Sequence, residues 1–461
     1  MITSSLPHKY EVCGSDSLFC PVQIILLESL SFLPPQSRRV CGRLCLHSRI
    51  LFSRAGGWIS RPRHCSQQGV GYAPHFMELT LEAYRNIVRS VGNRADISTL
   101  CRVCQGFRNV AEKALYNTLF LQDDEGTELL CRTLAGSPRL AFLVDALTIS
   151  IESEDEDDTS SEKSDMEDTT PLQLPESFWP SIALALESTT QLRYLNIHLP
   201  SDGNFSNSLS WVLKNTTFKL RKFHCDLAWD SDLVLFLKRQ TLLEDLYIQD
   251  YVEGHDPPVD DSHSQTIPPT LDTQDMPRLS MLECTFSEAA IALVPGRPIT
   301  HLKTCFSRDE PNSKREEMSQ LLSRIARSTQ PLKSIDIGDS LYSEAFSIEL
   351  LTAIVNTKAM KKICYLGTLA LPVHGRERLQ FYGLLMRLPI IQCVEFEVSQ
   401  WEPPPSSHAA LRALASELRL YVPSINKVIF VNDFDRSVVT AFQGICRVDV
   451  EISTDLLWRE K

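Results

Sequence analysis

The sequence predicts an α/β solenoid of parallel strands that follows a small all-α unit. Three observations predict this fold: a short strand pattern recurs along most of the chain, amphipathic helical segments separate its copies, and a purely helical pattern precedes the first copy. A strand that is followed by a helix and then by the next strand of the same sheet forms a right-handed crossover, and the two strands are then parallel.

The recurring strand pattern is apolar-x-x-apolar-x-apolar-x-apolar. The stretch QLRYLNIHLP at 191–200 carries it, and its alternation is that of a strand with one buried face. Most copies follow one another at close to the roughly 20–29-residue period of leucine-rich repeats. We therefore expect an irregular leucine-rich-repeat-like domain at 123–461, although an ordinary α/β domain with the same alternation is an alternative. The copies start at Val144, Leu192, Leu220, Leu243, Leu279, Ile299, Leu332, Ile363, Ile391, Ile425 and Ile445.

The segments between the copies have the period of amphipathic helices, with apolar residues at i, i+3, i+4 and i+7. In a solenoid each unit buries its apolar face only against its neighbours, which explains why the pattern recurs. The clearest helical segments are ESFWPSIALALEST, DSDLVLFLKRQ, KREEMSQLLSRIARS, SIELLTAIVNT, RERLQFYGLLMRL and HAALRALASELRLY.

Three segments do not fit the repeat. Residues 1–76 lack periodicity and accumulate Arg and Cys, so we expect a disordered extension, with a basic targeting arm as the alternative. Residues 152–171 form an acidic, disordered insertion: the run 152–168 holds ten acids and one lysine, and so contributes nine of the chain's twelve net negative charges. Residues 252–276 are rich in Pro, Asp and Ser and predict a loop.

Composition and motifs argue against several functions. The remainder of the chain is close to neutral, which does not favour nucleic-acid binding, and no run of 18 apolar residues predicts a membrane span. The sequence has no catalytic or phosphate-binding motif, so we expect neither an enzyme nor a cofactor. The one C-x-x-C, Cys101 to Cys104, has no second pair, which argues against a metal site. Fourteen scattered cysteines indicate reduced thiols and a cytoplasmic or nuclear protein.

The all-α unit spans residues 77–122. Leu81, Tyr84, Ile87, Val88 and Val91 share one helical face, and a second helical pattern runs from Ile97 to Leu115. Residues 93–96 interrupt the pattern, and the expected N-cap of the second helix is Asp96. The closing YNTLFL predicts a strand.

This unit resembles an F-box, as found before divergent repeats in F-box-like proteins of filamentous fungi. Thr80 and Phe107 stand where the family has Pro and Trp. The residues that match the family's opening, helical face, break, Val-Cys segment and closing pair are Leu79, Glu82, Ile87, Asp96, Ile97, Leu100, Val103, Cys104, Leu115 and Tyr116.

The resemblance implies a substrate-recognition subunit of a cullin-RING (SCF-type) ubiquitin ligase, with a Skp-type adaptor and a cullin as partners. A helical piece of about 45 residues buries little by itself, so a partner is expected to cover its exposed apolar residues. The residues that the resemblance assigns to adaptor binding are Leu79, Glu82, Ile87, Leu100, Val103, Cys104 and Phe107.

The repeats would then bind the target protein. In a solenoid of this class the side chains between the core positions project from the concave face of the sheet, and their mixture of aromatic, His and acidic groups suits a partly basic polypeptide. A scaffold without ligase association and a cryptic α/β enzyme remain alternatives. The expected target-binding residues are Tyr194, His198, His224, Asp226, Tyr247, Glu283, Lys303, Asp336, Glu395 and Glu397.

Overall fold

The computed structural model describes residues 79–150, 174–199, 209–249, 270–433, 435–449 and 451–460, which all belong to one compact unit, Glu78–Lys461. The extension predicted at 1–76 and the acidic insertion predicted at 152–171 lie outside the described residues, and so does most of the loop predicted at 252–276.

The unit begins with three short helices: α1 (Leu81–Ser90), α2 (Arg94–Leu100) and α3 (Gln105–Tyr116). Thr80 caps α1, since its Oγ1 accepts a hydrogen bond from the Ala83 N–H. Asn93 caps α2 through its Oδ1 and the Ala95 N–H, 2.9 Å apart, and not Asp96 as the sequence analysis expected. Asn and Asp are equally effective N-caps, so residue type alone does not distinguish Asn93 from Asp96 as the cap of α2.

A single sheet of thirteen strands follows the helices, and its strand order is the order of the sequence. Strands β1 to β11 are parallel throughout, which confirms the predicted solenoid of parallel strands for this part of the chain. The strands are β1 (Thr118–Leu121), β2 (Ala146–Ser150), β3 (Tyr194–His198), β4 (Lys222–Cys225), β5 (Asp245–Ile248), β6 (Met281–Cys284), β7 (His301–Cys305), β8 (Ser334–Gly338), β9 (Tyr365–Ala370), β10 (Cys393–Glu397), β11 (Lys427–Asn432), β12 (Asp435–Phe442) and β13 (Ile445–Asp449).

Helices connect most of the parallel strands, and the six segments that the sequence analysis marked as helical all contain one. Two 3₁₀ turns, Ser210–Leu213 and Lys358–Met360, also lie in the described parts of these connections. The helices are α4 (Asp124–Gly136), α5 (Pro138–Ala141), α6 (Phe178–Ser188), α7 (Ser231–Lys238), α8 (Ser287–Leu293), α9 (Pro311–Ile325), α10 (Glu344–Asn356), α11 (Gly375–Leu385) and α12 (His408–Tyr421).

The core lies between the sheet and these helices. The second residue of each parallel strand, from β1 to β11, is apolar and almost wholly buried, and the register places these residues side by side from strand to strand. They join the buried leucines of the helices in one continuous cluster. Because successive side chains of a strand point to opposite faces of the sheet, each buried strand residue packs beside the equivalent residues of the two neighbouring strands. The second-position row from β1 to β8 is Leu119, Leu147, Leu195, Phe223, Leu246, Leu282, Leu302 and Ile335.

The last two strands differ from the prediction. β12 and β13 are antiparallel to their neighbours, so the copy that starts at Ile445 is the last strand of a meander and not another parallel repeat. Only two residues separate Asn432 from Asp435, and a parallel connection needs about a dozen or more. The second turn is equally short, with Gln443 and Gly444 at positive φ (50° and 83°).

The end of the loop predicted at 252–276 packs against the core. Met276 is fully buried and Leu271 contacts the same cluster. The buried Arg297 side chain holds this segment: its Nε donates to the Asp275 carbonyl at 2.9 Å and its Nη2 to the Asp272 carbonyl at 2.6 Å. Polar composition alone predicted a loop here, and it did not reveal this arginine.

No helix in the part of the chain that the structure describes is long and apolar enough to cross a membrane. The nine cysteines of that part are free thiols. Burial raises the pKa of Cys131 and of Cys284 to about 12, so these thiols stay protonated and unreactive at neutral pH.

Candidate functional site

The face of the sheet opposite the helices, called the polar face below, carries the first and third residues of the parallel strands, and in β3 and β10 also the fifth. Successive side chains of a strand point to opposite faces, and the register aligns third-position residues across neighbouring strands. All ten residues predicted to bind a target lie on this face. Tyr194 is at a first position, and His198 and Glu397 are at fifth positions, while Asp226 directly follows β4 and lies against His198. The residues at third positions are His224, Tyr247, Glu283, Lys303, Asp336 and Glu395.

The β3–β4 part of the polar face contains a His–Asp pair. His198 Nδ1 lies 3.1 Å from Asp226 Oδ2, and the Tyr194 side chain beside them is exposed. Three buried polar atoms here, Asn196 Oδ1, His198 Nε2 and Asp226 Oδ1, have no hydrogen-bond partner among the described residues. Because buried polar atoms are usually hydrogen-bonded, this part of the face can offer hydrogen bonds to a ligand.

Asp245, at the first position of β5, is the most buried acid of the polar face. His224 Nε2 lies 3.5 Å from its Oδ1 and Lys222 Nζ lies 3.4 Å from its Oδ2. Burial by itself would raise the pKa of Asp245, but His224, Arg459 and Lys222 lower it further than burial raises it, so the carboxylate stays ionised. Tyr247 packs edge-on against His224, with ring centroids 5.9 Å apart.

Glu283 and Lys303 form an ion pair between the third positions of β6 and β7, with 3.0 Å between Lys303 Nζ and Glu283 Oε1. Burial would raise the pKa of Glu283, but Lys303 and then Arg459 more than offset it and hold the pKa below its usual value. This part of the face is therefore a fixed array of charges.

Asp336 and Glu395 are two buried acids on β8 and β10. Burial, and then repulsion from Glu395, raises the pKa of Asp336 to about 6. Asp336 Oδ1 accepts a hydrogen bond from the Thr368 N–H at 3.2 Å. Glu395 accepts from Thr368 Oγ1 at 2.8 Å and from Tyr365 OH at 3.0 Å, and Arg436 on β12 lies 3.3 Å from it.

Glu397 stands apart from this network. It accepts hydrogen bonds from the Ser399 N–H, at 2.8 Å, and from Ser399 Oγ just beyond the end of β10. Its contacts are local, and it therefore belongs to the rim of the polar face.

Sequence reasoning missed the segment 451–460, which follows β13 and lies on the polar face. Trp458 is buried there, and the Arg459 guanidinium contacts both Asp245 and Glu283. The sequence contained one signal for this contact. The third-position residues of β6 to β10 include several acids but a single cation, Lys303, so other parts of the chain must supply cations to pair with these buried acids.

The helical unit formed by α1, α2 and α3 is sparsely buried. Within 79–116 only Val88, Ala111 and Glu112 are buried. Of the residues predicted to bind an adaptor, Leu79, Glu82, Val103 and Cys104 are exposed, whereas Ile87, Leu100 and Phe107 are half-buried. The structure thus places the four exposed residues on the surface and the other three partly within the unit.

Two contacts fix the packing of the helical unit. The Phe107 ring lies edge-on to Tyr84, with centroids 4.7 Å apart. Glu112 on α3 binds Arg139 on α5, and this pairing is the first cause of the lowered pKa of Glu112. The unit is therefore attached to the first repeat through a partly buried ion pair.

No group of three or more His, Cys, Asp or Glu in the described ranges is arranged to hold a metal ion. The polar face can act chemically as a binding surface: it presents ionised carboxylates, aromatic rings and hydrogen-bonding groups from adjacent strands. Such a combination suits a polypeptide with cationic and aromatic side chains.

No family model matches the sequence, and no curated protein sequence matches it. Among solved structures, the chain is similar to the leucine-rich repeat-containing protein LegL7 from Legionella pneumophila, with 16% identity over 74% of this chain and 88% of that chain. The TM-score is 0.33. The class defined by strand order and register is an α/β solenoid of the leucine-rich-repeat type.

Proposed function

We propose that this chain is a non-catalytic substrate-recognition subunit of a cullin-RING ubiquitin ligase. The helical unit docks a Skp-type adaptor, and the polar face of the sheet holds the target protein while other subunits transfer ubiquitin. We infer the adaptor and the ligase from the resemblance of residues 79–116 to an F-box.

The exposure of apolar residues on the helical unit is the observation that carries the proposal. Val103 is 61% exposed, Leu81 51% and Leu79 43%, although these are residue types that proteins usually bury. Three large apolar side chains on so small a unit are suited to insertion into a partner's hydrophobic groove.

The polar face supports the target-binding half of the proposal. Its charges are held in place by neighbouring strands, so they lose little conformational freedom when a ligand binds. Solenoids present such rows of side chains as extended binding surfaces.

One observation favours a second candidate, a scaffold that binds proteins without a ligase. Phe107, which matches the family's Trp, packs against Tyr84 inside the unit and is thus less available to an adaptor. In this case the polar face binds a partner, but the helical unit serves only to cover the first repeat.

A binding measurement with matched variants tests the adaptor proposal. We expect the full chain to bind a Skp-type adaptor–cullin pair in solution, and Leu79→Glu combined with Val103→Glu to weaken that binding by about 100-fold, since two interface anchors of about 1–2 kcal/mol each are lost. Both residues are exposed, so the substitutions leave the fold intact. The matched control is Leu420→Glu on α12, where Leu420 is 82% exposed and remote in sequence from the unit.

Calorimetry or surface plasmon resonance gives the affinities. Equal binding by the double variant and the control, or no binding by the unmodified chain, would reject adaptor docking and favour the scaffold.

A further inference from the structure

The segment 451–460 covers part of the polar face through a small apolar cluster. Leu457 and Trp458 are each only 2% exposed. Their cluster is distinct from the main core and contains side chains from four consecutive strands of the sheet: Tyr365, Cys393, Ile429 and Val438. These side chains therefore form an apolar pocket on the polar face that holds an aromatic side chain, Trp458.

Arg459 fills an anionic pocket next to the aromatic one. Its Nη1 binds Asp245 Oδ2, and its Nη2 lies 2.6 Å from Glu283 Oε2. The guanidinium also stacks over the Trp458 ring, with 4.4 Å between its carbon and the ring centroid. A planar guanidinium matches two carboxylates better than an ammonium group does, so this pocket is selective for arginine.

Side chains make most of the contacts between this segment and the sheet. Its backbone–backbone hydrogen bonds are internal, from Leu457 N–H to the Thr454 carbonyl and from Arg459 N–H to the Leu456 carbonyl. Within the described ranges, the backbone hydrogen bond from 451–460 to a strand residue is that of the Glu451 N–H to Asp449 Oδ1, 3.2 Å, where the segment leaves β13. The ion pairs at its margin are long, at 3.8 Å for Arg436–Asp455 and 3.9 Å for Lys427–Glu460. The segment can therefore leave the face while every strand pairing remains.

The pocket cannot stay empty at low cost once Arg459 leaves. Asp245 is completely buried, and the loss of one partner from a buried ion pair is costly. Lys222 and His224 stay beside it at 3.4 and 3.5 Å, but neither replaces the contact that Arg459 makes with both Asp245 and Glu283. Any ligand that displaces the segment must therefore supply a cation of its own, together with an aromatic group for the adjoining pocket.

We propose that the polar face of β5 to β12 is a recognition site for polypeptides that carry an aromatic residue followed by arginine, and that residues 457–459 occupy this site in cis until such a polypeptide displaces them. This inference rests on the proposed function, since it names the class of target for the same face. It does not depend on the adaptor.

Peptide binding to full-length chains tests the proposal. The probe is a fluorescein-labelled peptide with the sequence of residues 451–461, and its matched control has Gln in place of Arg459. We expect the probe to bind the Trp458→Ala/Arg459→Ala chain at least tenfold more tightly than the unmodified chain, in which the covalently attached segment competes at high effective concentration. We expect the control peptide to bind the same variant at least tenfold more weakly, because it lacks the charge-assisted hydrogen bonds.

A second variant controls for a folding defect in the first. Arg459→Lys keeps a positive charge beside Asp245 but loses the bidentate geometry, and should bind the probe with an affinity between those of the unmodified chain and the double variant. Equal binding of the two peptides, absence of binding to both folded variants, or exchange of the segment between two copies in a dimer seen by light scattering would overturn the proposal.

The adaptor variant separates this inference from the proposed function. Leu79→Glu/Val103→Glu introduced into the opened chain should leave peptide affinity unchanged whether or not the adaptor binds. A loss of adaptor binding with retained peptide binding supports both ideas independently.

Discussion

Replacement of Asp336 by Asn should stabilise the protein at neutral pH, and this gain should shrink as pH falls through the window between about 6 and about 4. Asp336 is 6% exposed, lies one strand from Lys303, and its Oδ1 accepts the Thr368 N–H. An Asn side chain has nearly the same shape and keeps the accepting oxygen, but it does not ionise. The substitution thus removes the charge and leaves the packing unchanged.

The pKa of Asp336 sets the size and sign of this effect. Burial, followed by repulsion from Glu395, raises the pKa from 3.8 to about 6. Between these values the native protein holds a proton that the unfolded chain has released, so this group makes the free energy of unfolding fall as pH rises through that window. The shift corresponds to about 3 kcal/mol. The stability of Asp336→Asn relative to the unmodified chain should therefore rise by about 2–3 kcal/mol from pH 4 to pH 7.

Urea unfolding at pH 4, 5, 6 and 7 measures this difference, with the free energy of unfolding extrapolated to zero denaturant. Asp245 and Glu283 have lowered pKa values, and their stabilising contributions are present above the unfolded pKa and are lost in acid. These contributions are common to both proteins and cancel in the difference. Glu187→Gln, at an exposed position on α6, is the control. A difference that stays constant across this range would refute the reasoning.

Three further substitutions test individual contacts by the same urea method. Arg297→Met should cost about 3–5 kcal/mol, because it leaves one buried and two partly buried carbonyls without the guanidinium that now binds them; a cost like that of a surface change would contradict this. Lys314 and Asp339 form a buried pair at 2.6 Å, so Lys314→Met should cost about 3–5 kcal/mol and Lys314→Met/Asp339→Asn much less; additive costs would show that the two charges are not coupled. Gly367→Ala should cost about 1–3 kcal/mol, since the added Cβ would stand 1.9 Å from Asp336 Oδ1; a loss under about 0.5 kcal/mol would mean that the carboxylate moves freely.

Much of the sheet could be predicted because its physical cause is local. Each parallel strand needs a buried second position, and residues such as Leu195 and Leu246 follow one another at a spacing visible in the sequence. The same alternation assigns the polar residues to one face, so the sequence alone places His224, Tyr247 and Glu283 together.

The antiparallel end and the covering segment could not be predicted in this way. Apolar alternation has the same period in both strand directions, so the residues of β13 look like another repeat. The two tight turns at Asp433 and at Gln443–Gly444 were the signal that distinguished them. The Arg459–Asp245 contact joins residues that are 214 positions apart in the sequence. A periodic pattern of apolar residues predicts which face a residue lies on, but it does not predict contacts between residues so far apart.

The sequential strand order also makes the chain tolerant of added length. Every strand from β1 to β11 pairs only with the strands before and after it, so residues inserted after a strand lengthen one connection and shift no register. The acidic run 152–168 follows the end of β2, and the Pro/Asp/Ser-rich segment follows the end of β5. Each doubling of the length of a flexible connection costs only about 0.6 kcal/mol in closure entropy. The edge formed by the carboxyl ends of the strands can therefore acquire new segments while the residues of the polar face keep their positions.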